Sequence, residues 1–114
     1  MKRTFIETLI FTKRWSELGL YDNDLMQLQR FILMNPKAGN IIQATGGLTK
    51  IRFALPNTGK SGGVRVLYVD FIQQEKIILI NCYNKSAKDN ISEKEKTVYK
   101  SLIKAIKEGL NERK

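Results

Sequence analysis

Apolar residues along the 114-residue chain recur at two spacings, and the changes of spacing mark its elements. Loose alternation over KRTFIETLIF (2–11) predicts a first strand, followed by a short helical turn around TKRWSEL in which Trp15 and Leu18 sit one turn apart. Leu25, Leu28, Phe31 and Ile32 then recur at helical spacing, with Asp22 or Asn23 placed to cap the helix and Asn35-Pro36 to stop it. Turns are expected at Lys37-Ala38-Gly39-Asn40 and at Gly46-Gly47. Three strand-like runs follow, 48–55, 64–72 and 76–84, and their short connections favour an antiparallel meander. Ser92-Glu93-Lys94-Glu95 has the form of a capping box, opening a C-terminal helix in which Val98, Leu102, Ile106 and Leu110 recur every four residues. Lys96, Lys100 and Lys104 share another face of that helix and read first as a solvated surface.

One stretch invites a specific chemical reading. ALPNTGKS (54–61) would match a phosphate-cradling loop if Ala54 were Gly. That motif needs a helix directly after its Lys-Ser, because free helix N–H groups hold the phosphates. Here Gly62-Gly63 lead into Val64, Val66 and Tyr68, which is strand-forming sequence. A strand–helix–strand unit also needs about 30 residues, and only a few separate the two flanking strands. The segment is expected to be a long hairpin connection, and its basic residues must serve something else.

Composition narrows the options. The length suits one domain, residues 1–114. No apolar run approaches the ~20 residues of a membrane span, and MKRTFIETLIF is broken early by Glu7, so a cytoplasmic protein is expected. The lone Cys82 cannot form an internal disulfide and reads as a small core residue. The absence of histidine removes Ser-His and Cys-His nucleophile systems, the usual zinc sites and imidazole-based nucleases. From Leu25 through Val69 there is no Asp or Glu, whereas Arg30, Lys37, Lys50, Arg52, Lys60 and Arg65 all fall there. Asp70 and Glu75 form only a faint carboxylate pair, so neither a metal site nor a cofactor is expected. A net charge of +9 points instead to a polyanionic partner.

Strand geometry groups some of these charges. Lys50 and Arg52 project from one face, opposite Ile51 and Phe53; Asn81, Tyr83 and Lys85 share a face opposite Ile80 and Cys82. If both sets face the same way as Arg65, the sheet carries a basic surface with one aromatic ring, able to hold phosphates and stack a base. The alternative is that Lys50 and Arg52 merely decorate the outer side of a half-buried strand.

The ordered set Gly46-Gly47, Lys50-Ile51-Arg52, Gly59-Lys60-Ser61-Gly62-Gly63-Val64-Arg65 and Tyr83-Asn84-Lys85 resembles the RelE/HigB family of bacterial toxins, over most of the chain. The resemblance implies an α+β fold: two N-terminal helices packed on a largely antiparallel sheet of four to five strands, plus a C-terminal helix. It implies a metal-free endonuclease that cuts messenger RNA in the ribosomal A site, neutralised by a cognate antitoxin, commonly a small helix-turn-helix protein. Thr49 stands where similar proteins often carry Arg. Their base-stacking aromatic lies near the chain end, which leaves Tyr83 as its substitute here.

The chemistry implied is attack of a nucleotide's own 2′-hydroxyl on the adjacent phosphate. It needs a proton acceptor, cations for the developing charge and a donor for the leaving oxygen. Lys50 or Lys60 is the candidate base; Arg65 faces the phosphorane, Lys85 donates a proton or stabilises charge, and Arg52 positions the backbone. Two other readings share the architecture. One is a non-catalytic RelE/ParE-fold binding protein, either a gyrase inhibitor or a nucleic-acid-binding regulator; the other is a degenerate toxin kept for regulation.

Overall fold

Thr8 converts the first strand into the first helix. In the computed structural model, which describes residues 1–54, 63–85 and 90–112, strand β1 (Thr4–Glu7) ends where the Thr8 side chain accepts the Phe11 N–H at 3.0 Å and donates to the Ile80 carbonyl at 2.7 Å. Helix α1 (Leu9–Glu17) therefore starts inside the expected 2–11 strand, and Leu9, Ile10 and Phe11 are helical. A side-chain cap at Thr8 outweighs the apolar run that follows it, which fits either period. Phe11 and Trp15 point inward, rings stacked with centroids 5.4 Å apart.

Helix α2 (Asp22–Met34) is capped differently from the expectation. Tyr21 occupies the cap position, and Asp24, not Asp22 or Asn23, reaches back to accept the Tyr21 N–H at 2.8 Å. Leu28 and Ile32 are buried, and the helix stops before Pro36 with the Asn35 amide donating to the Phe31 carbonyl. The short strand β2 (Asn40–Ile41) follows, then β3 (Thr49–Phe53), β4 (Val64–Phe71), β5 (Lys76–Asn84) and helix α3 (Glu93–Glu112). The sheet order is β1-β5-β4-β3-β2, with β1 parallel to β5 and the other pairs antiparallel. The meander expected from the three strand-like runs is thus present, extended by one short strand at each edge. Residues 55–62, which hold most of ALPNTGKS, lie outside the described residues; the next described element is strand β4, not the helix a phosphate loop requires.

Both faces of the sheet are used. One carries Ile51, Phe53, Val64, Val66, Leu79 and Cys82 against Phe11, Trp15, Leu28 and Ile32 of α1 and α2. The other carries Leu67, Val69, Phe71, Ile78 and Ile80 against Ile103 of α3. The β4–β5 register breaks between Leu67 and Tyr68: Leu67 pairs with Asn81 and Tyr68 with Leu79, leaving Ile80 as an extra residue. This bulge changes the phase of β5. Ile77 and Leu79 belong to the α1/α2 side, yet beyond the bulge Cys82 takes that side and the odd-numbered Asn81 and Tyr83 take the other. The expectation that Ile80 lies opposite Tyr83 is corrected accordingly: Ile80 joins the α3 side, against which Tyr83 also packs.

The capping box of α3 is formed as expected, with Glu95 Oε1 accepting the Ser92 N–H at 3.0 Å and Ser92 Oγ accepting the Glu95 N–H at 3.2 Å. Its inward face differs from the four-residue series. Ile103 is buried, with Tyr99, Ile106 and Leu110 partly buried around it, while Val98 is 63% exposed and Leu102 37%. Tyr99, Ile103, Ile106 and Leu110 follow the i, i+4, i+7, i+11 spacing of a straight helix; a strict four-residue repeat drifts around it. Asn81–Tyr99 (3.1 Å) and Gln74–Asn111 (2.7 Å) hydrogen bonds tie the two ends of the helix to β5 and to the β4–β5 turn. No helix among the described residues is long and apolar enough to cross a membrane.

Cys82 is a core residue, 1% exposed, and burial pushes its thiol up to about 12. A thiol reagent at pH 8 should therefore leave the native protein unmodified and label it only in denaturant; rapid native labelling would contradict this packing. The face of α3 is tested by stability. Ile103→Ala should lower the unfolding free energy by about 2–5 kcal/mol, while Val98→Ala should stay within about 0.5 kcal/mol, both read from urea midpoints.

Candidate functional site

The register places the basic side chains. Arg52 pairs with Arg65, and Arg65 pairs in turn with Tyr83. Since cross-strand partners share a face, one row across β3, β4 and β5 reads Arg52, Arg65, Tyr83. The next row on that face is Lys50, Leu67, Asn81, and Lys85 follows Tyr83 two residues on, just past the end of β5. Lys50, Arg52, Arg65, Tyr83 and Lys85 therefore converge on one surface, the end of the α3-side face that carries charge instead of the Leu67–Ile80 cluster. Lys60 lies outside the described residues.

Two features separate this row from an ordinary solvated strand face. Like charges directly opposite each other across a ladder are destabilising, yet Arg52 and Arg65 hold that position. Arg65 is also only 8% exposed, a burial that charged side chains seldom reach. Lys50, Arg52 and Arg65 line a cleft of about 380 Å³ with Phe31, Ala38 and Asn40, so the cations border a concavity on the β3 side.

Neighbouring features contribute less to chemistry. A larger cavity, about 610 Å³, lies along the other end of β4 beside Gly39, Tyr68, Asp70 and Phe71. Its carboxylate is already engaged: Arg3 Nε meets Asp70 Oδ1 at 2.6 Å and Arg3 Nη2 meets Oδ2 at 3.2 Å. Asp70 thus joins the chain's N-terminal end to β4, across β5, instead of pairing with Glu75, and no group of three metal-ligating side chains occurs among the described residues.

The fold adds residues that the sequence reading did not select. Tyr99, on the inward face of α3, accepts a hydrogen bond from Asn81 Nδ2 at 3.1 Å, one row from Tyr83. Tyr99 supplies a second aromatic ring at the margin of the basic surface. A helical wheel drawn on Tyr99, Ile103 and Leu110, instead of on Val98 and Leu102, would have shown it. Arg14 of α1 approaches the same margin, and nothing in TKRWSEL marked it.

The chain is a three-helix α+β domain with a row of cations and an aromatic ring on one sheet face. Over residues 3–113 the chain matches the family model described as RelE toxin of the RelE/RelB toxin–antitoxin system, and it belongs to that family. Its fold is similar to that of the E. coli toxin RelE, solved as a double arginine-to-alanine mutant in the free state. That likeness has a TM-score of 0.54 at 19% identity and covers 78% of this chain and 90% of that one.

Four cations on phosphates, Lys50, Arg52, Arg65 and Lys85, would give a log–log salt slope of about −2.8 on single-stranded RNA. Affinity should fall on the order of 50-fold between 50 and 200 mM salt by the same relation. Anisotropy titrations with a short RNA measure this, and a flat response would count against the surface.

Proposed function

We propose that this protein is the toxin of a type II toxin–antitoxin pair of the HigB-like branch, acting as a ribosome-dependent, metal-independent mRNA endonuclease in the cytoplasm. The observation that carries the reading is the Arg52–Arg65–Tyr83 row with Lys50 and Lys85 beside it. Four of these side chains come from three neighbouring strands and share one face of the sheet, with Lys85 just past the end of β5.

In the proposed reaction the 2′-oxygen attacks phosphorus, the bond from phosphorus to the 5′-oxygen breaks, and a cyclic phosphate and a 5′-hydroxyl result. Lys50 or Lys60 takes the 2′-hydroxyl proton. Arg65, held in a buried position by β4, faces the charge that builds on the phosphorane oxygens. Lys85 gives a proton to the departing 5′-oxygen or stabilises its charge, Arg52 holds the neighbouring backbone, and Tyr83 stacks a base. Alignment of attacking oxygen, phosphorus and leaving oxygen supplies a large part of such rate enhancements. The ribosome imposes that alignment on the A-site codon, so free RNA is a poor substrate. The neutralising partner is a cognate antitoxin, of small helix-turn-helix type, and no membrane takes part. All five described site residues fall within residues 1–114 taken as one domain.

The test is induced expression of wild type beside Lys50→Ala, Arg65→Ala and Lys85→Ala, with mRNA ends mapped on ribosomes. Wild type should leave 5′-hydroxyl and cyclic-phosphate ends, and Arg65→Ala should slow cleavage by about 10²–10³-fold. Ends bearing 5′-phosphate would point to metal-assisted hydrolysis. Intact mRNA with inhibited DNA supercoiling would favour the ParE-like, non-catalytic alternative.

A further inference from the structure

Helix α3 carries more apolar surface than the chain covers. Tyr99, Ile103, Ile106 and Leu110 turn inward, and beside them runs a second stripe of Val98, Leu102, Ala105 and Gly109. Val98 is 63% exposed and Leu102 37%, and Ala105 and Gly109 are exposed as well. Their alternating steps of four and three residues are those of a helix–helix seam. The other flank of α3 is basic: Lys100, Lys104 and Lys107 are exposed there, and Lys107 borders the cavity beside Gly39 and Thr49 on the β3 side. The apolar stripe therefore looks towards the β1 edge, where Ile6 is 39% exposed. Helices α1 and α2 share one face of the sheet, whereas α3 stands alone on the other, with no second helix beside this stripe among the described residues.

Gly109 adds an independent sign. After proline, glycine is the least favourable residue in a helix interior. A Cβ at this position would meet no described part of the chain within 4 Å, so packing within the monomer does not require the missing side chain. A second helix approaching closely from outside would use it.

We propose that this stripe pairs two copies of the chain, α3 against α3 in antiparallel order about a two-fold axis level with the Leu102–Ala105 step. A two-fold contact uses the same patch on both copies, so the patch must complement itself. Here it does, because the large residues lie in the first half of the stripe and the small ones in the second. Antiparallel order sets Val98 on the second copy's Gly109 and Leu102 on its Ala105. The rim agrees: Lys94 and Glu112 are exposed, are separated by whole turns, and so lie on one side of the stripe, which brings Lys94 of each copy beside Glu112 of the other. Parallel order would oppose like charges at both ends and leave a gap at Gly109. A seam of about three turns is small, which places the pair among weak, concentration-dependent associations. Tyr99 bonds to Asn81, one row from Tyr83, so the basic surface adjoins the first turns of α3. Antiparallel pairing carries the two basic surfaces to opposite ends of the seam, and the proposal is independent of the ribonuclease reading.

Sedimentation equilibrium of the purified chain, from low micromolar to near-millimolar concentration, tests the pairing in enough salt to screen two molecules of net charge +9. Wild type should pass from monomer towards dimer across that range. Ala105→Glu, which sets a charge against Leu102, should raise the dissociation constant by about tenfold or more. Gly109→Leu should weaken the dimer too, yet raise the urea midpoint of the dilute monomer, since leucine is the better helix former. Those opposite signs separate an interface role from a folding one. Lys94→Glu should weaken the dimer by about threefold, and adding Glu112→Lys should restore the wild-type value. A chain that stays monomeric throughout, a dimer indifferent to both seam variants, or no recovery in the double variant would overturn the pairing. Monomeric wild type whose Ala105→Glu variant loses a co-expressed antitoxin would give the face to that partner instead.

Discussion

The extra residue at Ile80 is the constraint on which the basic surface depends. Along β5, Ile77 and Leu79 face α1 and α2. Had alternation continued, Asn81, Tyr83 and Lys85 would have faced the same helices, placing an amide, a phenol and an ammonium in an apolar layer. A one-residue slip moves every later side chain to the other side of a sheet. The bulge makes that slip, so Cys82 fills the helix side and Tyr83 comes level with Arg65.

Charge on the sheet is sustained by the two apolar layers around it. The row sets arginine against arginine across the β3–β4 ladder, a term that opposes folding. On the reverse side of the same strands, Ile51, Phe53, Val64 and Val66 bury apolar area against α1 and α2, at roughly 25 cal/mol per Å² removed from water. Helix α3 covers the rest of the charged side, from Asn81 to the β4–β5 turn. The strands thus gain stability on one side and at one end, and the Arg52–Arg65 pair lies on the remaining part of the sheet.

Much of this was legible in the order of residues. The three runs 48–55, 64–72 and 76–84 became β3, β4 and β5, because Val and Ile clusters bounded by Gly and Asn carry their own signal. Lys50 and Arg52 were assigned to a common side by alternation alone, and the register confirmed their alignment with Arg65. What escaped was non-local. Ile77–Ile80 of KIILINCY are buried on both faces of the sheet, so alternation within that run does not mark the phase change. Leu9-Ile10-Phe11 suits either period until Thr8 caps a helix there. Arg14 and Tyr99 meet at β5 only because α1 and α3 dock around the edge and end of the same strand. The roles of Lys50, Arg52, Arg65, Tyr83 and Lys85 rest on their placement together with the family, and Lys60 rests on the sequence.

Gly63 closes the neck of the connection between β3 and β4. Its φ is +58°, and a Cβ there would come within 2.5 Å of the Phe53 carbonyl oxygen, so the two chain ends touch at a point that only glycine fits. A neck closed in this way uncouples whatever is inserted from the strands below it. Doubling the intervening length would cost only about 0.6 kcal/mol in closure entropy. Relatives could therefore exchange this segment for longer, shorter or differently charged versions without disturbing the Arg52–Arg65 alignment. The neck gives the architecture a place to vary in length while the two strands on either side keep their pairing.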